Sequence, residues 1–270
     1  MTRREHPLAM GSWPGLPARM MRLTILGSGT NVHPTRAAAG YLVRTDRIFL
    51  MDFGPRTLMN LIKSGVDRHR ITHILFSHFH ADHFADFIPF FFDAVYHSKH
   101  VGRRADLTII GPRGTKRLFG VMLKTFPGFG TARFRTTIRE VADRSFRIGK
   151  THITARTVAH SPRLHCLGYR VRYGKKTLVY SGDAMYCDGL LTLCRKADAA
   201  VLDCSFPENR PGPGHMHAGD CGRVAQEAGV KRLILSHFYP LAESRDVARQ
   251  AGRRFDGRIT VGRDLMTVCL

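Results

Sequence analysis

Ser77-His78-Phe79-His80-Ala81-Asp82-His83 constrains this chain more than any other stretch. Four metal-binding side chains fall within six positions, directly after the apolar run Ile74-Leu75-Phe76. That context is a buried strand ending in a polar turn. His78 and His80 are two apart, so in extended backbone they leave the chain on one side and can share an ion. Asp82 and His83 follow at the entry to the next helix, where the chain changes direction. A catalytic ion keeps one coordination position open, so four ligands from one segment are more than a single ion needs. Two adjacent ions are the natural inference. Histidines that merely cap the helix are the plainer alternative, but a turn has no use for three imidazoles and a carboxylate.

Around this cluster, short β-branched runs alternate with amphipathic stretches, the pattern of an α/β chain. Strands are expected at 23–26, 40–43, 48–51, 74–76, 107–110, 152–157, 167–171, 177–180, 200–202, 232–235, 259–261 and 265–268. Helices are expected at 55–64, 83–96, 113–126, 188–196, 218–228 and 243–253. Gly54-Pro55 and Gly111-Pro112 are start signals, and Gly229 is a stop signal. Hairpins are expected at Arg44-Thr45-Asp46-Arg47 and at Arg172-Tyr173-Gly174-Lys175. His73-Ile74-Leu75-Phe76-Ser77-His78-Phe79 is echoed by Arg232-Leu233-Ile234-Leu235-Ser236-His237-Phe238. The echo suggests two similar halves, each delivering a histidine from a strand end to one place. The stripe Phe84, Phe87, Phe90, Phe91 and Phe92 reads as core.

Composition bounds the rest. Lys and Arg total 42 against 21 Asp and Glu, a net charge of +21. Such a field draws polyanions, with phosphate esters and RNA the obvious partners. Arginines make up 33 of the basic residues, so a genomic composition bias accounts for the excess equally well. The segment with His97, Lys99, His100, Arg103 and Arg104 is a candidate substrate surface or a solvated loop. Nothing approaches the roughly 18 apolar residues of a membrane span. Six scattered cysteines with no CxxC pair fit free thiols in a reducing cytoplasm. Residues 1–20 lack the apolar core of a secretory signal and read as an irregular extension, with Met21 an equally good start. Residues 21–270 form one domain.

In order, the chain carries Leu26-Gly27-Ser28-Gly29-Thr30, Met51-Asp52-Phe53-Gly54, the histidine cluster, Ala159-His160-Ser161, Tyr180-Ser181-Gly182-Asp183, Asp203-Cys204-Ser205-Phe206, Gly214-His215 and Leu235-Ser236-His237. With these marks it resembles the metallo-β-lactamase superfamily, and within it the ribonuclease Z-like branch, over nearly all of 21–270. The resemblance implies a four-layer αββα sandwich with a metal site along one edge of its two sheets. It further implies that His78, His80 and His160 hold one ion, that Asp82, His83 and His237 hold the other, and that Asp183 bridges them. His165 is a rival to His160 but lacks the Val-Ala-His-Ser context. In similar enzymes an acidic residue pairs with a histidine 22 positions before the last metal histidine, which selects His215 over His217. Asp203 stands where that family more often has Glu. The pair would stabilise phosphoryl charge or assist the departing oxygen. Asp52 is expected to orient a ligand histidine rather than bind metal. Asp82, His215 and Asp203 are thus the candidate catalytic residues.

Two divalent ions about 3.5–4 Å apart bring a bridging water to near-neutral pKa and clamp the substrate oxygen. Zinc suits the mixed imidazole and carboxylate set, and manganese or iron also fit by ligand type. Di-iron oxidoreductases of the superfamily usually carry Glu where this chain has His80, so hydrolysis is expected. The tRNA-gripping arm of bacterial ribonuclease Z is inserted between the third metal histidine and the bridging aspartate, an interval filled here by two strands. Phosphodiester hydrolysis, in the form of RNA 3′ processing, is the first expectation. A small-molecule hydrolase acting on a cyclic phosphodiester, ester or lactone is the second. Nucleic-acid binding without turnover is set aside because no proposed ligand is missing. The resemblance also allows a homodimer.

Overall fold

The computed structural model describes residues 20–270, except Arg103, Arg104 and Ser244. All but the last residue of the 1–20 extension, and two arginines of the candidate surface, lie outside the described residues. The first half builds a sheet from β1 (Arg22–Gly27), β2 (Gly40–Arg44), β3 (Ile48–Phe53), β4 (His73–Leu75), β5 (Leu107–Gly111) and β6 (Thr136–Glu140). The second half adds β7 (Arg144–Ile148), β8 (Thr151–Thr157), β9 (Leu167–Tyr173), β10 (Lys176–Tyr180), β11 (Ala199–Asp203), β12 (Arg232–Ser236) and β13 (Arg258–Val261). The final strand, β14 (Thr267–Cys269), returns to pair with β1. The result is two seven-stranded sheets, ordered β14-β1-β2-β3-β4-β5-β6 and β13-β12-β11-β10-β9-β8-β7. The helices are α1 (Thr57–Lys63), α2 (Ala81–Phe84), α3 (Phe87–His100), α4 (Thr115–Thr125), α5 (Asp188–Cys194), α6 (Ala218–Ala228), α7 (Pro240–Glu243) and α8 (Val247–Gly252).

Side-chain alternation sorts the apolar residues into three layers. Leu23, Ile25, Tyr41, Val43, Phe49 and Met51 face Tyr169, Val171, Leu178, Val201 and Ile234 between the sheets. Their neighbours Leu42, Leu50 and Phe53 point the other way, onto Phe87, Phe90, Phe91 and Phe119. On the second sheet Val179, Ala200, Leu202, Leu233 and Leu235 meet Leu190, Leu193, Val224 and Ala225. Helices therefore cover both outer faces, and the architecture is the expected αββα sandwich. The central strands are buried on both sides, which is why they read as near-continuous apolar runs. The phenylalanine stripe is core as expected, except that Phe92 is 57% exposed.

Several expected elements are corrected. Two strands, β6 and β7, give no apolar run because they are the outer edges of their sheets, with burial limited to one face. Charged edge strands of this kind resist pairing with other chains. The helix expected at 83–96 is broken between α2 and α3. There the Asp86 N–H bonds to Phe53 O at 3.1 Å, and its carboxylate accepts the Leu58 N–H at 2.8 Å. The helix expected at 243–253 splits into α7 and α8, and Asp246 caps α8 by accepting the Arg249 N–H at 2.9 Å. The strand expected at 265–268 starts late because Leu265 has a left-handed φ of 63°. Both hairpins and the Gly229 cap are present as read.

Topology now positions the chemistry. Strands β3, β4, β5 and β6 run parallel, as do β10, β11, β12 and β13. The echoed segments are β4 and β12, each inside the parallel run of its own sheet. The C-terminal ends of both runs open on one edge of the sandwich, the usual place for sites in such sheets. Among the described residues no helix is long and apolar enough to cross a membrane.

At the opposite edge His73 begins β4, and burial, with Arg47 and Arg139 nearby, pulls its imidazole down to about 4. A histidine depressed on folding contributes stability that is complete above its unfolded pKa of ~6.5 and is lost as pH falls toward 4. In urea titrations a His73→Gln variant is therefore expected to gain on the parent protein as pH drops from 6.5 to 4. A gap that stays constant with pH would show that this imidazole is not held neutral.

Candidate metal centre

Six strand ends and loops meet at the open edge. Asp52 lies near the end of β3, the His78–His83 loop follows β4, His160 follows β8, Asp183 follows β10, Asp203 ends β11 and His237 follows β12. Donor atoms within 4.8 Å of one another fall into three overlapping groups. The first is His78, His80, His160 and Asp183; the second is Asp82, His83 and His237; the third is Asp183, Asp203, His215 and His237. Every metal-ligating and catalytic candidate from the sequence is thus in one cluster. Asp183 sits between the sets. Its Oδ1 is 3.0 Å from His83 Nε2 and 3.2 Å from His237 Nε2, while its Oδ2 is 3.6 Å from His78 Nε2 and 3.7 Å from His160 Nε2.

The outer nitrogen of four imidazoles is tied to an oxygen. His83 Nδ1 donates to Asp52 Oδ2 at 2.7 Å, and His160 Nδ1 donates to Gly214 O at 2.6 Å. His78 Nδ1 meets Ser77 Oγ at 3.0 Å, and His237 Nδ1 meets Ser205 Oγ at 3.0 Å. Both serines donate onward, to Asp52 and Asp203, so both accept from the imidazoles. Each ring consequently aims Nε2 at the centre. There, nitrogens crowd against one another: His83 and His237 Nε2 atoms are 3.1 Å apart, and His80 Nδ1 is 3.0 Å from His78 Nε2 and 3.2 Å from His160 Nε2. Two N–H groups cannot point at each other across such gaps. Asp183 Oδ1 is buried without a well-directed hydrogen bond. Converging lone pairs and an orphaned carboxylate oxygen fit divalent cations, and the N/O donor set suits zinc, manganese or iron.

The titrating groups pull in opposite directions: burial opposes the charged form of His83 and His237, but the Asp183 carboxylate outweighs it and raises both well above the ordinary imidazole value. Burial pushes the His78 imidazole well below its ordinary value, and neighbouring His83 pushes it further. Burial opposes ionisation of Asp183, yet His237 and His83 outweigh it and hold the carboxyl well below the usual carboxylate range. Asp82 is likewise held low, the His237 hydrogen bond and His83 charge overcoming burial. At the rim His215 Nδ1 donates to Asp203 Oδ2 at 2.8 Å. Burial would lower His215, but the Asp203 charge outweighs it and raises the imidazole.

Two glycines make the close approaches possible. A Cβ on Gly54 would stand 1.8 Å from Asp82 O, which clamps the ligand loop against the end of β3. Gly182 has φ +59° and brings the chain against Ser77 just before Asp183. Asp52 and His237 adopt left-handed φ angles of 54° and 63° without being glycine. Such backbone is strained and persists where the surroundings enforce it.

Rivals and surfaces separate cleanly. His165 bonds Arg113 N and Thr157 Oγ1, and His217 caps α6 through Asp220 N. Neither belongs to the three groups. His97 and His100 lie at the far end of α3, where His97 stacks on His69 with ring centroids 3.5 Å apart. That pair borders a cleft with Ile48 and Thr72 at the strand starts, so the nominated basic segment is on the edge away from the centre. Sequence reasoning assigns no role to Ser77 and Ser205, which orient ligands, to Tyr180, which bonds Asp52, or to Phe206 and Tyr239, which stack on each other at 5.0 Å beside His215. The first three sit beside residues that were singled out, and that adjacency was the available signal.

The chain matches the beta-lactamase superfamily domain over residues 47–238. It belongs to this superfamily and has the metallo-β-lactamase fold. Protein ML1173 of Mycobacterium leprae is 32% identical over 88% of this chain and 85% of its own length. Ribonuclease Z of Mycobacterium bovis strain BCG is 28% identical, covering 92% of this chain and 98% of its own. The crystal structure of the metallo-β-lactamase-fold protein YhfI from Bacillus subtilis superposes with a TM-score of 0.82 at 25% identity, over 93% of this chain and all of that one. The chain is accordingly a metal-dependent hydrolase.

Asp52 tests how the centre is held. Asp52→Asn keeps the shape but cannot accept every bond the carboxylate takes. We expect a loss of ~1–3 kcal/mol in stability and roughly 10–100-fold weaker zinc binding by competition with a chelating dye. Unchanged zinc affinity would show that Asp52 does not orient the ligands.

Proposed function

We propose that this protein is a dinuclear metal-dependent phosphodiesterase of the ribonuclease Z type, cleaving RNA at 3′ ends. In this reading His78, His80 and His160 hold one ion, Asp82, His83 and His237 hold the other, and Asp183 spans the two. Zinc is the expected metal. Two such ions supply a water of near-neutral pKa and offset charge on the substrate oxygens. Asp82 contributes a ligand oxygen to the second of these ions. Asp203 holds His215 by its Nδ1 proton, leaving Nε2 free to donate to a phosphoryl or departing oxygen.

The Asp203–His215 pair carries the reading. An ester or lactone develops charge on one oxygen, which two cations already neutralise. A phosphoryl group spreads charge over several oxygens, so a further protonated imidazole beside the cations matches it. Similarity to ribonuclease Z over most of both chains supports the same direction.

A second reading has one observation in its favour. The interval from His160 to Asp183 is spent on β9 and β10, joined by the tight Gly174-Lys175 turn, and holds no tRNA-gripping arm. A hydrolase of this design acting on a small cyclic phosphodiester, ester or lactone needs no such arm.

Metal analysis of the purified protein is expected to give about two ions per chain; finding none removes both readings. Asp82→Ala should lose hydrolysis of bis(p-nitrophenyl) phosphate. His215→Ala should retain its metal and slow cleavage of an oligoribonucleotide ~10²-fold, with a smaller effect on the aryl diester, whose leaving group needs no proton. Cleavage of aryl esters or lactones, with phosphodiesters untouched, would replace the first reading by the second.

A further inference from the structure

Next to the metal centre, on the same edge, lies an open cleft of about 640 Å³. One wall is the loop that carries His160, continuing through Arg163 to His165. The other is Arg113, two residues beyond β5, with Arg144 at the start of β7. His165 ties the walls together by accepting the Arg113 N–H at 3.3 Å. Since β5 pairs with β4, Arg113 leaves the sheet beside the strand that delivers His78 and His80.

The charge here is unbalanced. Arg113, Arg144 and Arg163 are exposed, and among the described residues none is paired with a carboxylate. Two acidic side chains stand nearby, but both are turned to backbone. Glu140 accepts the N–H groups of Gly114 and Lys116 at 3.0 Å each, and Asp143 accepts the Thr157 N–H at 2.6 Å. Three guanidinium groups are left facing solvent in a concavity one loop away from the ions' place. Some arginines elsewhere do find partners, as in Arg68–Asp93 at 2.7 Å and Arg36–Glu243 at 2.6 Å.

We propose that this cleft is a second phosphate subsite, which takes the backbone phosphate next to the scissile one. Its substrate is then a polynucleotide strand rather than an isolated diester, and the inference rests on the phosphodiesterase reading above. Guanidinium forks suit phosphate oxygens, and contacts of this kind position a strand without reading its bases. The cleft thereby takes over at close range part of the grip that the missing arm would provide.

The test is the double variant Arg113→Gln/Arg163→Gln, with metal content measured to confirm an intact centre. Two readouts are compared with the unaltered protein. In the first, KM for a short oligoribonucleotide should rise about tenfold, while kinetics on bis(p-nitrophenyl) phosphate, which has a single phosphate, stay unchanged. An equal loss on both substrates, or no loss on either, overturns the proposal. The second readout needs no cleavage: anisotropy of a fluorescent, cleavage-resistant phosphorothioate oligoribonucleotide on the metal-loaded protein, across a salt series. Removing two phosphate contacts from a single strand should reduce the log–log salt slope by about 1.4; an unchanged slope overturns the proposal. If the unaltered protein cleaves no phosphodiester, the catalytic reading falls, and the salt slope alone decides whether the cleft binds a strand.

Discussion

A single buried carboxylate ties the two sheets to the chemistry between them. Asp52 is fully buried and takes four hydrogen bonds: the Ser77 N–H at 2.7 Å, Ser77 Oγ at 2.6 Å, His83 Nδ1 at 2.7 Å and the Tyr180 hydroxyl at 2.5 Å. Those donors come from the loop after β4, from α2 and from β10 of the other sheet. A buried charge without partners costs several kcal/mol, so the donors cannot leave without destabilising the whole arrangement. The same bonds that make Asp52 tolerable in the core also set the orientation of His83.

Around that anchor, Asp52 and His237 hold backbone that residues with a Cβ rarely adopt. Asp52 and His237 occupy left-handed conformations, at ~1–2 kcal/mol each for a residue with a Cβ. Neither could be relaxed without turning its side chain off target. His237 is pinned further by its own carbonyl and ring, which both contact Ser205 Oγ. The centre is therefore a place where local preference loses to long-range bonding, and the three apolar layers supply the stability that tolerates it.

Much of this was legible in the sequence because it was written as contrast. Apolar runs that stop at a histidine or aspartate mark a buried strand reaching an open edge, and this happens after Phe76, Tyr180, Leu202 and Leu235. What was not legible was contrast of another kind. Strands β6 and β7 are half solvated, so Thr136–Glu140 and Arg144–Ile148 carry no apolar signature. The break at Asp86 depends on Phe53 O and Leu58 N, partners roughly thirty residues away, and no local pattern announces it. Basic residues were the least informative of all. His97 and Lys99 look like a binding patch in the primary order but lie at the far end of a helix, whereas Arg113 and Arg163, fifty residues apart, share a cleft.

The pairing of β14 with β1, together with ligands drawn from both halves, has a bearing on how the chain matures. His78, His80, Asp82 and His83 emerge early in synthesis, whereas His237 and the closing strand arrive among the last few dozen residues. A nascent chain that reaches only β6 displays four of the donors but cannot assemble the pocket between the sheets. Arrival of β12 and β14 is thus the event that both completes the two sheets and makes the protein able to retain its cations.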